Sequence, residues 1–177
     1  KLTPPMNQDR LAEKYGSEIP SVPLIWTIAS KVYELRHESQ EEVEGLRNLL
    51  QTGFRSYANT STRIIYNSKG DDEVIHDYGT ADQYSLRVNV VGADSWIVDM
   101  KEPKVLETLL GTSDVKRINK ISQFISGTKV YIWRFNSKPD EREEKVVGLN
   151  ADDDGLDLGC IGGSFDEFPA FRILRVD

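Results

Sequence analysis

The densest group of side chains that could bind a cation lies in the segment 150–159. Its oxygen donors stand at alternate positions, at Asn150, Asp152 and Asp154. Gly155 follows them, so the segment matches the first half of a calcium-binding loop, where alternate residues converge on one ion. The twelfth position of such a loop carries a bidentate glutamate, but here it is Ile161.

The residues on either side of this segment favour a simpler structure. Segments 146–149 and 156–158 both read as short strands, and an Asp-Gly pair between two strands is typical of a hairpin turn in which glycine adopts a positive φ. We therefore predict a turn without a metal or a cofactor. Asp152 and Asp154 are retained as weak candidates for cation binding.

Cys160 and two histidines are the remaining side chains that could support catalysis. Cys160 alternates with Leu156 and Leu158, which is typical of a buried core cysteine. A nucleophilic cysteine would need His37 or His76 as its base. His76 follows Val74 at strand spacing and is interpreted as structural, while His37 lies at a helix end, where it interacts with the helix dipole. No catalytic residue is predicted.

An aromatic strand follows a basic helix in the middle of the chain. Tyr131, Trp133 and Phe135 alternate along 128–135 and are predicted to share one face. Aromatic platforms beside basic residues can stack nucleic-acid bases, and the alternative is packing beneath a helix. Helix 113–126 supplies the basic residues, Lys116, Arg117 and Lys120. The net charge of −7 argues against nucleic-acid binding, because phosphates are neutralised by an excess of Lys and Arg.

Helical periodicity predicts two pairs of helices. Residues 1–23 hold four prolines and are interpreted as an N-terminal arm with a short helix at 7–16. Two helices follow, from Leu24 and from Ser39, where Ser39 and Glu42 form a capping box. A break at 37–40 makes them a helical hairpin. The second pair spans 103–110 and 113–126, with Pro103 in a first turn and glycines after both helices.

Alternating periodicity predicts the strands. Segments 62–67 and 73–78 form one β-hairpin, and 84–91 with 96–99 form another. In 84–91, Tyr84, Leu86, Val88 and Val90 are predicted to face one side of the strand. Segment 128–135 is apolar on both faces, which favours a central strand or a strand covered on both sides. Three further short strands are expected at 144–149, 155–161 and 170–176.

This order of elements predicts an α+β fold. It contains a helical hairpin, a mainly antiparallel β-sheet, a second helix pair and C-terminal short strands. Residues 24–177 are expected to form a single domain, with a division into two lobes near residue 100 as the alternative.

Composition limits the class of protein. The 177 residues include 38% hydrophobic and 29% charged ones, as in soluble globular domains. No apolar run reaches the roughly 20 residues of a membrane helix. One cysteine excludes an internal disulfide and favours a reducing, cytoplasmic location, although a leader peptide that had been removed would leave no trace.

No motif of high specificity identifies an activity. The sequence favours a non-catalytic module that binds a protein partner or a small ligand, with helix 113–126 as a surface for a partner or for self-association. One alternative is a carboxylate-based hydrolase, with or without a divalent cation. Another is a calcium-stabilised structural domain.

Overall fold

The helices begin and end at local signals in the sequence. The computed structural model describes residues 1–38, 41–162 and 166–174. Pro103 occupies a first helical turn, and Asp114 caps the last helix by accepting a hydrogen bond from the Arg117 backbone N–H (3.0 Å). Gly111 and Gly127 end the last two helices with φ of 74° and 81°, left-handed values that glycine adopts without strain. The α-helices of the described residues are α1 (Gln8–Tyr15), α2 (Val22–Glu34), α3 (Glu41–Arg55), α4 (Pro103–Leu110) and α5 (Val115–Ser126).

The strands form one mixed, mainly antiparallel sheet. They are β1 (Ala58–Tyr66), β2 (Asp72–His76), β3 (Tyr84–Val88), β4 (Ser95–Trp96), β5 (Val130–Trp133), β6 (Glu143–Ala151) and β7 (Leu156–Gly162). Their order across the sheet is β3-β2-β1-β6-β7-β5-β4. Among the described strands, β5 and β7 pair in parallel and every other pair is antiparallel. The predicted α+β fold is confirmed.

The helices divide unequally between the two faces of the sheet. Helices α2 to α5 cover the inner face, where Ile64, Ile132 and Leu158 of three different strands are fully buried. Helix α1 lies on the outer face of β1, and its Leu11 packs with Ile19 and Ala170 in a second, smaller cluster. Strands alternate their side chains between faces, so Ile64 of β1 enters the inner core while the neighbouring Arg63 contacts α1.

Arg63 of β1 anchors α1 to the outer face. Its side chain is only 6% exposed, and it donates hydrogen bonds to Asp9 (2.7 Å), Glu144 (2.8 Å) and Gln8 (2.8 Å). Its guanidinium also lies 3.6 Å from the centre of the Tyr78 ring. A buried guanidinium is tolerated when every donor has a partner of this kind, so Arg63 joins the N-terminal segment to the sheet.

The predicted hairpin between 84–91 and 96–99 is wrong. Strands β3 and β4 lie at opposite edges of the sheet, and residues 97–99 form a 3₁₀ turn. The intervening chain crosses the end of the sheet, where the buried Asp72 carboxylate accepts the Val90 N–H (2.8 Å) and the Gly92 N–H donates to Phe135 (2.9 Å). These interactions satisfy backbone groups that the predicted hairpin would have paired locally.

Burial is uneven along two of the strands. Tyr84 and Leu86 of the edge strand β3 are 45% and 41% exposed, while Val88 is buried. Strand β5 lies within the sheet, between β7 and β4, but it is not covered on both sides, because Val130 and Ile132 face the core while Trp133 is 39% exposed. An apolar sequence alone does not distinguish a covered strand from one with an exposed aromatic face.

The chain ends pair with each other on the outer face. Ala170 and Phe171 form isolated bridges with Asn59 and Leu2, in place of a regular strand at 170–176. Residues 175–177 lie outside the described residues, as does Ser39 of the predicted capping box. Strands from both sides of residue 100 belong to one sheet, and the predicted domain boundaries stay a prediction. Within the described ranges no helix is both long enough and apolar enough to cross a membrane.

Candidate functional site

The acidic segment at 152–155 is the turn of the β6–β7 hairpin. Ala151 pairs with Leu156, and the Asp152 carboxylate accepts the backbone N–H groups of Asp154 (2.9 Å) and Gly155 (3.0 Å). The predicted hairpin is confirmed, but the predicted reason for its glycine is wrong. Gly155 has no positive φ. A Cβ there would lie 3.2 Å from the Trp96 ring, so glycine lets that ring pack closely on the turn, and a larger residue would displace the ring by a few tenths of an ångström.

The described residues contain no group of three or more His, Cys, Asp or Glu side chains that could hold a metal ion. Cation binding through Asp152 and Asp154 therefore stays a prediction. In the structure, one carboxylate oxygen of Asp152 is already used to stabilise the turn.

Cys160 is a core residue, as its alternation predicts. It is 2% exposed, and burial raises the pKa of its thiol to about 12. It lies beside the hydroxyl of the buried Tyr66, and the interaction between the two groups partly opposes this rise. A thiol with a raised pKa is a poor nucleophile at neutral pH.

His76 is also a structural residue. It is fully buried, and its ring nitrogens contact the Thr62 hydroxyl (2.9 Å) and the Thr108 carbonyl oxygen (2.8 Å). Burial lowers the pKa of its imidazole. The predicted continuation of the strand to Tyr78 is interrupted, because Asp77 has a φ of 53°, and Tyr78 lies instead on Arg63.

The aromatic residues of 131–135 do not share one face. Strand β5 ends at Trp133, and the Phe135 ring turns to stack on the buried Tyr66 at 4.3 Å. Tyr131 and Trp133 remain on the outer face, with ring centres 5.2 Å apart. Trp96 of β4 continues this row, and its ring centre is 5.2 Å from that of Tyr131 at an interplanar angle of 78°.

A carboxylate lies beside this aromatic row. Asp157 of β7 is the register partner of Tyr131 across the parallel β5–β7 pair. Trp96 is the register partner of Tyr131 on the other side. Three strands distant in sequence therefore place two rings and one carboxylate in line on the outer face.

Tyr57 covers the neighbouring part of the same face, over strands β6 and β7. Its ring lies over the paired glycines Gly148 and Gly159, where a Cβ would come within 2.8 Å and 2.6 Å of it. Phe168 packs against it at 4.6 Å. Burial raises the pKa of Tyr57, and the negative charge of Asp157 adds to this effect. We define Tyr57, Trp96, Tyr131, Trp133 and Asp157 as the aromatic–acidic patch.

The charge of Asp157 is unfavourable in the isolated chain. Partial burial raises the pKa of its carboxyl, the Trp133 indole N–H opposes this effect, and the carboxylates of Asp152 and Asp154 raise the pKa further. A carboxyl whose charge the fold disfavours, beside the exposed Trp133 and partly buried aromatic rings, is typical of a functional position.

An apolar groove lies elsewhere, between α2, α3 and the C-terminal segment. It has a volume of about 330 Å³. Its walls include Ile28, Leu49 and Phe171, and Leu46 at its edge is 44% exposed. The groove has no convergent set of polar groups that would indicate a particular ligand.

Comparison with protein families, with characterised proteins and with solved structures gives no match for this chain. The geometry of the described residues is therefore the basis for a functional assignment.

The sequence pattern does not reveal the patch as a unit. It indicates Tyr131 and Trp133 as an aromatic pair, but it favours a hairpin with β3 for Trp96, and Asp157 is only one of several acidic residues in segment 150–159. The available signal is the pair of glycines at 148 and 159, each within a predicted strand. Such glycines often mark a close approach by another group.

Proposed function

We propose that this chain is a non-catalytic binding module whose aromatic–acidic patch binds Lys or Arg side chains of a protein partner. The observation that carries the proposal is Asp157. Its carboxylate is partly desolvated and lies near Asp152 and Asp154. A cation bound beside Asp157 would stabilise the ionised carboxylate, because its charge offsets both the cost of desolvation and the repulsion from Asp152 and Asp154.

The aromatic rings support the same class of ligand. A Lys or Arg cation is attracted to the face of Trp or Tyr by about 0.5–2 kcal/mol, depending on its exposure. Trp133 is 39% exposed, so its surface is accessible to such a group. Trp and Tyr are also the residues most enriched among those that dominate the energy of protein interfaces.

The net charge of −7 favours a positively charged partner and disfavours nucleic acid. A hydrolase would need an acid, a base and a nucleophile in one cleft. In the part of the chain that the structure describes, Cys160 and His76 are buried, and His76 is bonded to interior groups. This arrangement supports a binding function over the carboxylate-based hydrolase.

The test is binding of a fluorescently labelled hexalysine peptide, followed by anisotropy, with hexaserine as the uncharged reference. We expect saturable binding that weakens as salt is added. Asp157→Asn and Trp133→Ala should each weaken it by about fivefold, equivalent to about 1 kcal/mol. Asp82→Asn is the control, because it removes one negative charge from an exposed turn.

Two results would contradict the proposal. One is the absence of saturable binding by the unmodified chain. The other is an equal loss of affinity in Asp157→Asn and Asp82→Asn, which would show that binding follows only the net charge.

A second copy of this chain is the other source of basic side chains. Helix α5 carries Lys116 and Lys120 on its exposed side, so α5 of one copy could occupy the patch of another, which would be a head-to-tail contact. Sedimentation of the unmodified chain and of the Lys116/Arg117/Lys120→Ala variant distinguishes this case. Self-association that the triple substitution abolishes would identify the second copy as the partner.

A further inference from the structure

The two edges of the sheet differ in how well they are protected against pairing with another strand. One edge is β4, which is two residues long and is followed by a 3₁₀ turn. The other edge is β3, which pairs with β2 over all five of its residues without a register shift. Proteins protect such edges with short strands, proline, bulges or charged residues, above all lysine. Strand β3 contains no proline, bulge or lysine, and its one charged residue is Arg87.

The open edge of β3 presents two apolar side chains on the same face. Tyr84 and Leu86 are the register partners of His76 and Val74, which are fully buried, so all four side chains lie on the inner face. Tyr84 and Leu86 are nevertheless 45% and 41% exposed, because no strand of the described sheet lies beyond β3. The Tyr84 ring is held against the His76 ring, with centres 5.1 Å apart. An ordered aromatic ring and a leucine therefore remain uncovered at an open edge.

The geometry of this edge specifies an extended chain as the group that covers it. The outward N–H and C=O groups of an edge strand are complemented by an added strand. Residues directly opposite each other in an antiparallel pair share a face. A second β3, related by a two-fold axis at Ser85, therefore sets Tyr84 of each copy opposite Leu86 of the other. The two exposed apolar residues cover each other, so the edge is complementary to itself.

The charges of this segment are compatible with contact between two acidic chains. The net charge is −7, but residues 83–89 contain no Asp or Glu. In the pairing centred at Ser85, Arg87 lies opposite Gln83 of the second copy. The two Arg87 residues are then four positions apart, about 14 Å along the strand, which exceeds the screening length of about 8 Å at physiological ionic strength. No like charges face each other across the pair.

We infer that two copies of this chain associate through β3, in an antiparallel pair with a two-fold axis at Ser85. The contact joins two seven-stranded sheets into one, and its two-fold symmetry closes the assembly at a dimer. The paired segment is short, so the interface belongs to the small class and the dimer is transient rather than obligate. Strand β3 lies at the opposite edge of the sheet from β4 and its Trp96, so this inference does not rest on the proposed function of the aromatic–acidic patch.

Cysteine crosslinking tests the register. In the inferred pair, position 85 of one copy lies opposite position 85 of the other, with Cα atoms about 4.5–5.5 Å apart, within the range that a disulfide spans. Ser85 is exposed and the native Cys160 is buried, so Ser85→Cys supplies the accessible thiol. Oxidised glutathione takes up the two electrons released when the disulfide forms.

The control for crosslinking is Asn89→Cys, an exposed position that continues the same edge. In the inferred register, position 89 lies opposite position 81 of the second copy, so two cysteines at 89 do not meet. We expect Ser85→Cys to form covalent dimers about tenfold faster than Asn89→Cys, because pairing raises the local concentration of one thiol at the other.

Sedimentation velocity tests the association without a crosslink. The unmodified chain should change from monomer to dimer as its concentration rises. Leu86→Lys should raise the dissociation constant by at least about tenfold, because each dimer loses two apolar contacts and gains two charges at the edge. Leu24→Lys is the matched control, since Leu24 on α2 is also 41% exposed, and it should leave the dissociation constant unchanged. Urea unfolding confirms that both lysine variants fold, and the crosslinking test does not depend on them.

Several results would overturn the inference. One is a chain that stays monomeric at every concentration, and another is crosslinking of Ser85→Cys that is no faster than that of Asn89→Cys. Self-association that the Lys116/Arg117/Lys120→Ala variant abolishes and Leu86→Lys does not would place the contact at the aromatic–acidic patch instead. Growth beyond a dimer would contradict the closed two-fold pair.

Discussion

The Thr62 hydroxyl lies 2.9 Å from Nδ1 of the buried His76, and the hydrogen-bond chain through this pair determines which ring nitrogen carries the proton. The Thr108 carbonyl, 2.8 Å from Nε2, can only accept, so Nε2 is protonated. In the neutral imidazole Nδ1 is then the acceptor, so the Thr62 hydroxyl, which also accepts the Val22 N–H (2.9 Å), donates its proton to Nδ1. This chain links β1, β2, α2 and α4 through one neutral imidazole.

Acidification should destabilise the fold through His76. Because burial lowers its pKa in the folded state, the unfolded state binds a proton first as the pH falls below about 6.5. His76 therefore makes its full contribution to the free energy of unfolding above about pH 6.5. This contribution decreases as the pH falls towards the lowered pKa that His76 has in the folded state. Urea unfolding between pH 7.5 and 5 should show this decrease. His76→Gln should flatten the profile, whereas substitution of the exposed His37 by Gln should leave it unchanged.

Two glycines of α3 should respond oppositely to alanine. A Cβ at Gly53 would overlap the Phe171 ring, while one at Gly45 meets open space. We expect Gly53→Ala to lower the free energy of unfolding by about 1–3 kcal/mol through overpacking. Gly45→Ala should raise it by about 0.5–1 kcal/mol, because alanine restricts the unfolded chain and favours the helix. Urea denaturation of both variants checks this. Equal effects would show that Phe171 does not occupy its described position.

Removal of Arg63 should release α1 from the sheet. Arg63→Ala removes the buried guanidinium from two carboxylates that are 55% and 30% exposed, and it leaves the side-chain oxygen of Gln8 without its donor, at a cost of about 1–3 kcal/mol. Limited proteolysis should then cut within residues 1–18 faster than in the unmodified chain. Arg10→Ala is the control, since the Arg10–Glu167 pair is 65% and 53% exposed, and exposed pairs contribute at most about 1 kcal/mol. Similar proteolysis of the two variants would contradict the anchoring role.

The Cys160 thiol should be unreactive in the folded protein. It is 2% exposed, and burial raises its pKa to about 12, so very little thiolate is present at pH 8. A chromogenic disulfide reagent should modify it slowly in buffer and rapidly in denaturant. The rate in buffer should follow the population of opened molecules. Rapid modification of the folded chain would mean that Cys160 is accessible, and its assignment to the core would be wrong.

Replacement of Asp157 should stabilise the fold while weakening binding. Its pKa is raised by partial burial and by its acidic neighbours, so the folded state is disfavoured when this group is ionised. Asp157→Asn should raise the free energy of unfolding at neutral pH. This difference depends on pH. As the pH falls through the raised pKa, the unmodified chain gains a proton in the folded state first, and the difference between the two proteins disappears. Urea unfolding at pH 7 and pH 4 measures both effects, and a destabilised Asp157→Asn variant at pH 7 would contradict this account.

Local signals predicted the helices well. The Pro103 start of α4 and the glycines after both helices lie where the sequence predicts them. Such signals work because a helix satisfies its backbone within a few residues, so its limits depend on nearby side chains. The burial of Cys160 was also predicted from a local pattern, its alternation with Leu156 and Leu158 along one strand.

Pairings between distant segments were predicted less well. Strand β4 is only two residues long and pairs with β5, which lies more than thirty positions later. Nothing in its sequence distinguishes this pairing from the wrong hairpin with β3. The Asp72 carboxylate and the Phe135 carbonyl, which direct the chain away from that hairpin, are also remote in sequence.

By itself, the sequence determined the class of this protein: helices with defined caps, strands with defined periodicity, and an acidic chain without a specific catalytic motif. Only the tertiary structure decided the strand order, and with it the meeting of Trp96, Tyr131 and Asp157 on one face. The physical reason is that capping and periodicity act within a few residues. Strand pairing, in contrast, depends on the simultaneous burial of many distant side chains and on closing long loops, which no single segment encodes.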